Sequence, residues 1–124
     1  MIYSIDTKSE VTDIPHRTEY DIWRKRITDQ EYNAIMAALN EKIQGDDIVT
    51  SSWIPGSDWT NTVYEPIYFK ACRMNEDQAA MFFGLLLWEA VLNRPDYWSF
   101  GRYEKDGNPI EGMTYFKLTT PPRI

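Results

Sequence analysis

The two side chains best suited to catalysis are a single histidine, His16, and a single cysteine, Cys72. His16 lies in a predicted loop and could act as a general base, but one histidine cannot form a multi-histidine metal site. Cys72 precedes Arg73 and the start of a predicted helix, and both features lower the pKa of a thiol and favour a nucleophile. The alternative is that Cys72 is a small residue of the hydrophobic core.

Glu89 is a further candidate for chemistry, because it interrupts an apolar run that extends from Ala79 to Leu92. Such a carboxylate either faces a polar edge of its helix or pairs with an arginine. An active-site carboxylate with a shifted pKa is the alternative. The sequence contains no glycine-rich phosphate loop and no pair of metal ligands at a recognised spacing. We therefore predict no catalytic residue, no metal and no cofactor.

The segment WIPGSDWTN carries two tryptophans, Trp53 and Trp59, near Asp58. Pro-Gly-Ser-Asp is typical turn sequence, which predicts that the tryptophans lie near the tip of a hairpin. An exposed tryptophan in a loop is a common anchor of protein interfaces. Alternatively, both tryptophans cover the edge of the core. The same loop could border a ligand pocket or an active site, in which Asp58 and His16 converge.

Tyrosines alternate with apolar residues in several segments that are predicted to be strands. Phenylalanine and leucine share one side of these strands, whereas tyrosine, whose hydroxyl requires water or a partner, falls on the other side. The tyrosine side is therefore predicted to be the exposed face of a sheet, on which arginines and lysines also lie. This predicted face contains Tyr20, Arg24, Arg26, Tyr64, Tyr68, Lys70, Tyr97, Tyr103, Tyr115 and Lys117.

An exposed aromatic face of this kind has three candidate uses: a protein partner, a homodimer formed sheet to sheet, or stacked bases of a single-stranded nucleic acid. The net charge of −6 opposes nucleic-acid binding, because phosphate contacts need a positive field. The simplest alternative is that tyrosine merely favours strands and pairs across them. We rank the protein partner first, the homodimer second and the nucleic acid third.

Two helices are predicted to position these residues. Residues 75–93 form an apolar core helix, which begins with a capping pattern of Asn75 and Gln78 and ends before Pro95. Residues 28–44 form the second helix, which begins with a capping box of Thr28 and Glu31 and has an apolar stripe at helical spacing.

The predicted strands cover residues 2–5, 20–27, 47–54, 62–72, 97–104 and 113–118. An Asp-Gly turn at residues 106–107 joins the last two strands as a hairpin. From residue 20 onward, the order of elements is βαββαβ with an added C-terminal strand. This order predicts an α+β fold of the ferredoxin-like type, in which two helices cover one face of an antiparallel sheet and the other face stays exposed.

Composition restricts the class of protein further. With 43% hydrophobic and 15% aromatic residues, the 124-residue chain can form a core, and we predict a single domain. Residues 1–18 are expected to be a loosely attached segment, and residues 119–124 a tail. One cysteine allows no internal disulfide and suits a reducing compartment. Neither a signal peptide nor a membrane-spanning run is recognised, so we expect a cytoplasmic protein without membrane contact.

These observations predict a small cytoplasmic protein that binds a protein partner through a surface rich in tyrosine and tryptophan. An acidic inhibitor or immunity-type protein of a basic target would fit the net charge. The first alternative is a small-ligand-binding protein or an enzyme with a pocket near residues 53–59. The second alternative is single-stranded nucleic-acid binding on the sheet. The predicted binding residues are Trp53, Asp58, Trp59, Tyr64, Tyr68, Tyr103, Tyr115, Arg24 and Arg26.

Overall fold

A computed structural model of the chain describes residues 1–4, 8–44, 48–50, 61–101, 104–105, 108–109 and 114–118. These residues form an α+β fold with a five-stranded sheet and a two-stranded sheet. The strands are β1 (Ile2–Ser4), β2 (Ser9–Val11), β3 (Ile48–Thr50), β4 (Trp98–Gly101), β5 (Glu104–Lys105), β6 (Asn108–Pro109) and β7 (Thr114–Lys117). The helices are α1 (Arg17–Arg24), α2 (Asp29–Ile43) and α3 (Glu76–Leu92), and a π-helical turn covers Ile67–Ala71.

The five-stranded sheet has the order β2-β1-β4-β7-β3, in which β1 and β4 are parallel and the other neighbours are antiparallel. The predicted α+β class is therefore confirmed. The ferredoxin-like topology is not confirmed, because residues 20–27 and 62–72, which should supply two of its strands, contain no strand. β1 lies inside the sheet and Ile2 is buried, so residues 2–4 are part of the sheet and not a loose segment.

Both long helices begin and end where the sequence predicts. The Thr28 hydroxyl accepts a hydrogen bond from the backbone N–H of Glu31, whose carboxylate accepts one from the N–H of Thr28. The side chain of Asn75 accepts a hydrogen bond from the N–H of Gln78 at 3.0 Å and caps α3. These contacts satisfy N–H groups that have no partner within the first helical turn, and they thereby define where each helix starts.

The helix α3 lies between the sheet and the other helices. On the sheet side, Trp88 makes edge-on ring contacts with Phe100 in β4 and Tyr115 in β7, with centroid distances of 5.0 and 6.1 Å. On another side, Phe82 contacts Tyr20 of α1 at 5.9 Å, and α2 packs alongside. A helix that is enclosed in this way must be apolar around most of its circumference, which explains the apolar run in its sequence.

Residues 20–27, which are predicted to be a strand, instead form most of α1 and the turn that follows it. Tyr20, Trp23 and Ile27 are buried, and their spacing of i, i+3 and i+7 is that of one helical face. Arg17 and Asp21 form an exposed ion pair of 3.2 Å at i, i+4 spacing. The strand prediction is wrong because burial of one helical face outweighs the strand preference of aromatic and β-branched residues.

The second incorrect strand prediction concerns residues 62–72. These residues form turns and the π-helical turn. The buried residues Tyr64, Ile67 and Ala71 have the same i, i+3 and i+7 spacing. Pro66 starts the π-helical turn with a helical backbone conformation, which is compatible with its fixed φ angle. Burial of one helical face against α3 again outweighs the strand preference of the individual residues.

The remaining predicted strands are confirmed where the structure describes them. β3 lies within residues 47–54, β4 within residues 97–104 and β7 within residues 113–118. β4 and β7 pair antiparallel, as expected for the predicted hairpin. Residues 106–107 and the predicted tail at 119–124 lie outside the described residues. Within the described residues, no helix combines the length and the apolar character needed to cross a membrane.

Leu86→Ala and Phe82→Ala should each lower the free energy of unfolding by about 2–5 kcal/mol, because both side chains are fully buried in α3 and their truncation leaves a cavity. Gly84→Ala is a control of opposite sign in the same helix. It should raise the free energy of unfolding by about 0.5–1 kcal/mol, since an added Cβ meets no atom within 4 Å. Urea denaturation measures all three variants, and an unchanged midpoint for Leu86→Ala would contradict the position of α3.

Candidate functional site

The exposed tyrosine face that the strand pattern predicts is not formed. Tyr64 is 7% exposed and Tyr115 is 1% exposed, so both belong to the core. The ring of Tyr64 packs edge-on against Phe83 of α3 at 5.2 Å, and Tyr68 is half-buried in the π-helical turn. The premise of a shared exposed face is therefore wrong for these tyrosines. Four other predicted binding residues lie outside the described residues: Trp53, Asp58, Trp59 and Tyr103.

The direction of Tyr115 is decided by its strand partners. It pairs with Phe100 of β4 and Val49 of β3, and residues directly opposite each other in antiparallel strands share a face. Both partners face the helices, so Tyr115 does too, and its burial raises the pKa of its hydroxyl. The predicted assignment of faces is right for β4. It is inverted for β7, in which Tyr115 faces the helices and Phe116 lies on the opposite face of the sheet.

Arg24 and Arg26 are held by the protein itself. Arg24 donates a hydrogen bond of 2.7 Å to Asp29, and its guanidinium carbon lies 4.0 Å from the centre of the Tyr32 ring. Arg26 donates a hydrogen bond of 2.8 Å to the carbonyl oxygen of Ala71. Both arginines thus stabilise connections between helical segments. The predicted arrangement, in which they flank exposed strand tyrosines and hold nucleic-acid bases, is not formed in the described residues.

The sheet face opposite the helices carries a different set of residues from the predicted one. The strand register aligns one residue from each strand in a row across the sheet: Glu10, Tyr3, Ser99, Phe116 and Ile48. The Tyr97 ring lies 5.9 Å from the ring of Tyr3. Ile48 is exposed, whereas Tyr3 and Phe116 are half-buried and Ser99 is buried. Tyr97 is the one member of the predicted face in this group.

A cleft of about 430 Å³ lies between the first turns of α2 and the segment that leads into and through the π-helical turn. Its apolar lining includes Phe69 and Val63, which are 42% and 37% exposed. Large apolar side chains at such exposure are candidates for contact with another molecule. This cleft, named the α2 cleft below, is lined by Gln30, Glu31, Ala34, Thr62, Val63, Glu65, Pro66, Phe69 and Lys70.

The π-helical turn explains why Phe69 is exposed. The backbone N–H of Cys72 donates to the carbonyl oxygen of Ile67 at 3.1 Å, which is the i to i+5 hydrogen bond of a π-helix. Ile67 and Ala71 are buried, whereas Phe69 and Lys70 lie on the outer side of the same turn. Single π-helical turns occur frequently at functional sites, so this exposure draws attention to the α2 cleft.

An ion pair connects the two sides of the α2 cleft. The ammonium of Lys70 lies 2.8 Å from Oε2 of Glu31, and Oε1 of Glu31 accepts the backbone N–H of Thr28 in the capping box. The hydrogen bond from Lys70, together with that from Thr28, holds the pKa of Glu31 below its usual range. Because Lys70 is largely exposed, the pair contributes at most about 1 kcal/mol to stability. Its structural effect is to position the π-helical turn against α2.

Glu65 is the second carboxylate of the α2 cleft. Its Oε2 atom accepts a hydrogen bond of 3.0 Å from the backbone N–H of Asn61. It forms no ion pair with any described residue, in contrast to Glu31. The charged side chains of the lining are thus Glu31, Glu65 and Lys70, which sum to −1 (two acids, one base).

Glu89, the carboxylate inside the apolar helix, contacts two tyrosines and no arginine. Its Oε2 atom accepts a hydrogen bond of 2.5 Å from Tyr20 of α1, and its Oε1 atom accepts one from Tyr32 of α2. Burial, and then the bond to Glu89, raises the pKa of Tyr20. Glu89 therefore does not face a polar edge of its helix, and it pairs with no described arginine. Both of the structural roles considered for it are wrong. The cluster joins α1, α2 and α3.

The two catalytic candidates lie apart from the α2 cleft. Cys72 is buried, and this burial raises the pKa of its thiol to about 12, although nearby Arg26 opposes the increase. The core interpretation of Cys72 is confirmed, and the low-pKa nucleophile is wrong. His16 is exposed at the start of α1. Among the described residues, no group of three or more His, Cys, Asp or Glu is placed to hold a metal ion.

Sequence reasoning placed Phe69 in the core and therefore missed the α2 cleft. The signal that could have found it is the spacing of Tyr64, Ile67 and Ala71, which assigns Phe69 and Lys70 to the opposite side of a helical turn. Comparisons with protein-family models, curated proteins and solved structures give no match. The function must therefore be inferred from the geometry of the site.

Cys72 should not react with Ellman's reagent in the native protein at neutral pH, because the thiol is both buried and protonated. One thiol per chain should react after unfolding in guanidinium chloride, which serves as the internal control. The absorbance of the released thiolate measures both. Rapid stoichiometric reaction of the native protein would contradict the buried position of Cys72.

Tyr20→Phe should lower the free energy of unfolding by about 1–3 kcal/mol, because the buried carboxylate of Glu89 loses one of its two donors. Tyr97→Phe is the matched control, since the Tyr97 hydroxyl forms no hydrogen bond with the described residues. It should change the free energy of unfolding by less than about 0.5 kcal/mol. Equal urea midpoints for the two variants would show that the Tyr20–Glu89 bond does not stabilise the fold.

Proposed function

We propose that this chain is a small binding protein that engages a protein partner through the α2 cleft and the apolar side chains beside it. The observation that carries the proposal is the exposure of Phe69 and Val63 at the cleft. Aromatic residues are enriched in the cores of protein interfaces, where one such side chain often dominates the binding energy. The half-buried ring of Tyr68 lies 5.0 Å from Phe69 and supports its orientation.

The charge of the protein supports a basic partner. The chain has a net charge of −6, and the lining of the α2 cleft also carries more acid than base. Complementary charge accelerates association and disfavours wrong partners. An acidic inhibitor or immunity-type protein fits this combination. We place the activity in the cytoplasm, which a chain with a single, buried cysteine suits.

Binding of a small ligand is the second candidate, and the size of the α2 cleft favours it. A volume of about 430 Å³ falls within the range of about 300–1,000 Å³ that is usual for ligand pockets. An enzymatic version is less supported. Of the two residues that were expected to converge, His16 does not line the cleft, and Asp58 lies outside the described residues. Native mass spectrometry of the purified protein would detect a retained ligand.

Phe69→Asp should reduce recovery of the partner at least about tenfold when tagged protein is used to purify complexes from its native host, because a charge replaces the apolar anchor. Met81→Asp is the matched control, since Met81 is similarly exposed on α3 and does not line the α2 cleft. Quantitative mass spectrometry compares both variants with the wild-type chain, and circular dichroism verifies their folding.

The proposal fails if the wild-type chain recovers no stoichiometric protein, or if Phe69→Asp recovers the same partner as well as Met81→Asp does. Purified partner and purified chain should then be mixed in a calorimeter. A loss of affinity for Phe69→Asp alone would assign the interface to the α2 cleft. Equal affinity for both variants would place the interface elsewhere.

A further inference from the structure

We propose that the segment received by the α2 cleft comes from a basic protein and carries an apolar side chain next to a lysine or arginine. The apolar side chain would contact Phe69 and Val63, and the cationic side chain would pair with Glu65. This inference rests on the proposed function and specifies the chemistry of the partner. It follows from three features of the cleft: its apolar wall, the Glu65 carboxylate that pairs with no described cation, and its open shape.

The apolar wall can accept one side chain of moderate size. Val63, Pro66 and Phe69 come from the segment of the π-helical turn, and Ala34 comes from α2. The small side chain of Ala34 leaves room between the two elements, and Phe69 and Val63 provide exposed apolar surface on one side of that space. An aliphatic or aromatic side chain that entered the cleft would cover this surface, which is the main source of favourable free energy.

The Glu65 carboxylate, which forms no ion pair within the described part of the chain, determines the charge of the partner's second side chain. Lys70 is already paired with Glu31 at 2.8 Å, so an acidic ligand would have to compete with Glu31 for it. Glu65 uses Oε2 to accept the N–H of Asn61, and its Oε1 atom has no hydrogen-bond partner among the described residues. A half-buried carboxylate with an unused oxygen favours a lysine ammonium or an arginine guanidinium.

The shape of the cleft favours a segment of a larger molecule over a free small molecule. Pockets for small ligands usually enclose about 70–90% of the ligand surface. The α2 cleft is open to solvent on its outer side rather than enclosed, so a small ligand would remain uncovered there. A protein would cover both residues with the surface around its inserted side chain. The net charge of −6 attracts a partner of opposite charge over a longer distance.

Selection from a phage-displayed library of random linear peptides on the immobilised wild-type chain tests the inference. We expect enriched peptides to share an apolar residue beside a lysine or arginine. Glu65→Gln should weaken synthetic peptides of this type roughly threefold to tenfold in fluorescence anisotropy, because the ionic contact is lost. The glutamine retains an oxygen that can accept the Asn61 N–H, so the local fold should persist. Phe69→Ala should weaken the same peptides by more than about tenfold.

Two matched variants complete the experiment. Glu41→Gln removes an exposed charge from α2 outside the cleft, and Met81→Ala removes an exposed apolar side chain from α3. Neither should change peptide affinity by more than about twofold. Loss of binding that is specific to Glu65→Gln and Phe69→Ala, with weaker binding at higher salt, would support the inference.

The two ways of failing can be distinguished. Enriched peptides that depend on Phe69 but lack a basic residue, or that bind Glu65→Gln as tightly as the wild-type chain, would overturn the basic-partner inference and leave the α2 cleft as the interface. An absence of any enriched peptide that depends on Phe69 would overturn the inference and count against the proposed function as well.

Discussion

A carboxylate buried inside a hydrophobic fold needs hydrogen-bond donors, and the arrangement of the helices depends on this requirement. Glu89 lies in α3, the most apolar helix, and is buried there. Tyr20 of α1 and Tyr32 of α2 each donate one hydrogen bond to it. Neither α1 nor α2 can therefore separate from α3 without leaving a buried polar group short of a donor. The cation of Arg24 above the Tyr32 ring adds a further contact between α1 and α2.

The α2 cleft depends on the same packing. Arg26, in the connection between α1 and α2, donates to the carbonyl oxygen of Ala71 at the end of the π-helical turn. Glu31, in the first turn of α2, holds Lys70 from the same turn. The π-helical turn is thus attached to the α1–α2 region by two polar contacts, while Ile67 anchors it in the core. Phe69 and Lys70 remain exposed because the inner side of the turn, with Ile67 and Ala71, is packed in the core.

The buried polar groups of the described core lie apart from the α2 cleft. Catalysis requires a nucleophile or a base and its supporting groups within one cleft. In the described residues, the buried thiol of Cys72 and the carboxylate of Glu89 take part in packing and helix connection, and neither lines the α2 cleft. The cleft instead combines exposed apolar surface at Phe69 and Val63 with a carboxylate, Glu65, that forms no ion pair with a described residue. This combination is what supports the proposal that the cleft binds a protein partner.

The sequence by itself determined α2 and α3, because helix caps such as Thr28 depend on contacts within a few residues. It also determined the α+β class. It left residues 20–27 and 62–72 ambiguous, since their aromatic and β-branched composition suits a strand whereas their i, i+3, i+7 spacing suits one face of a helix. Only packing against α3 decides between these states, and that packing exposes Phe69. Alternation likewise separates the two faces of β7, but only its register with β4 and β3 decides that Tyr115 enters the core.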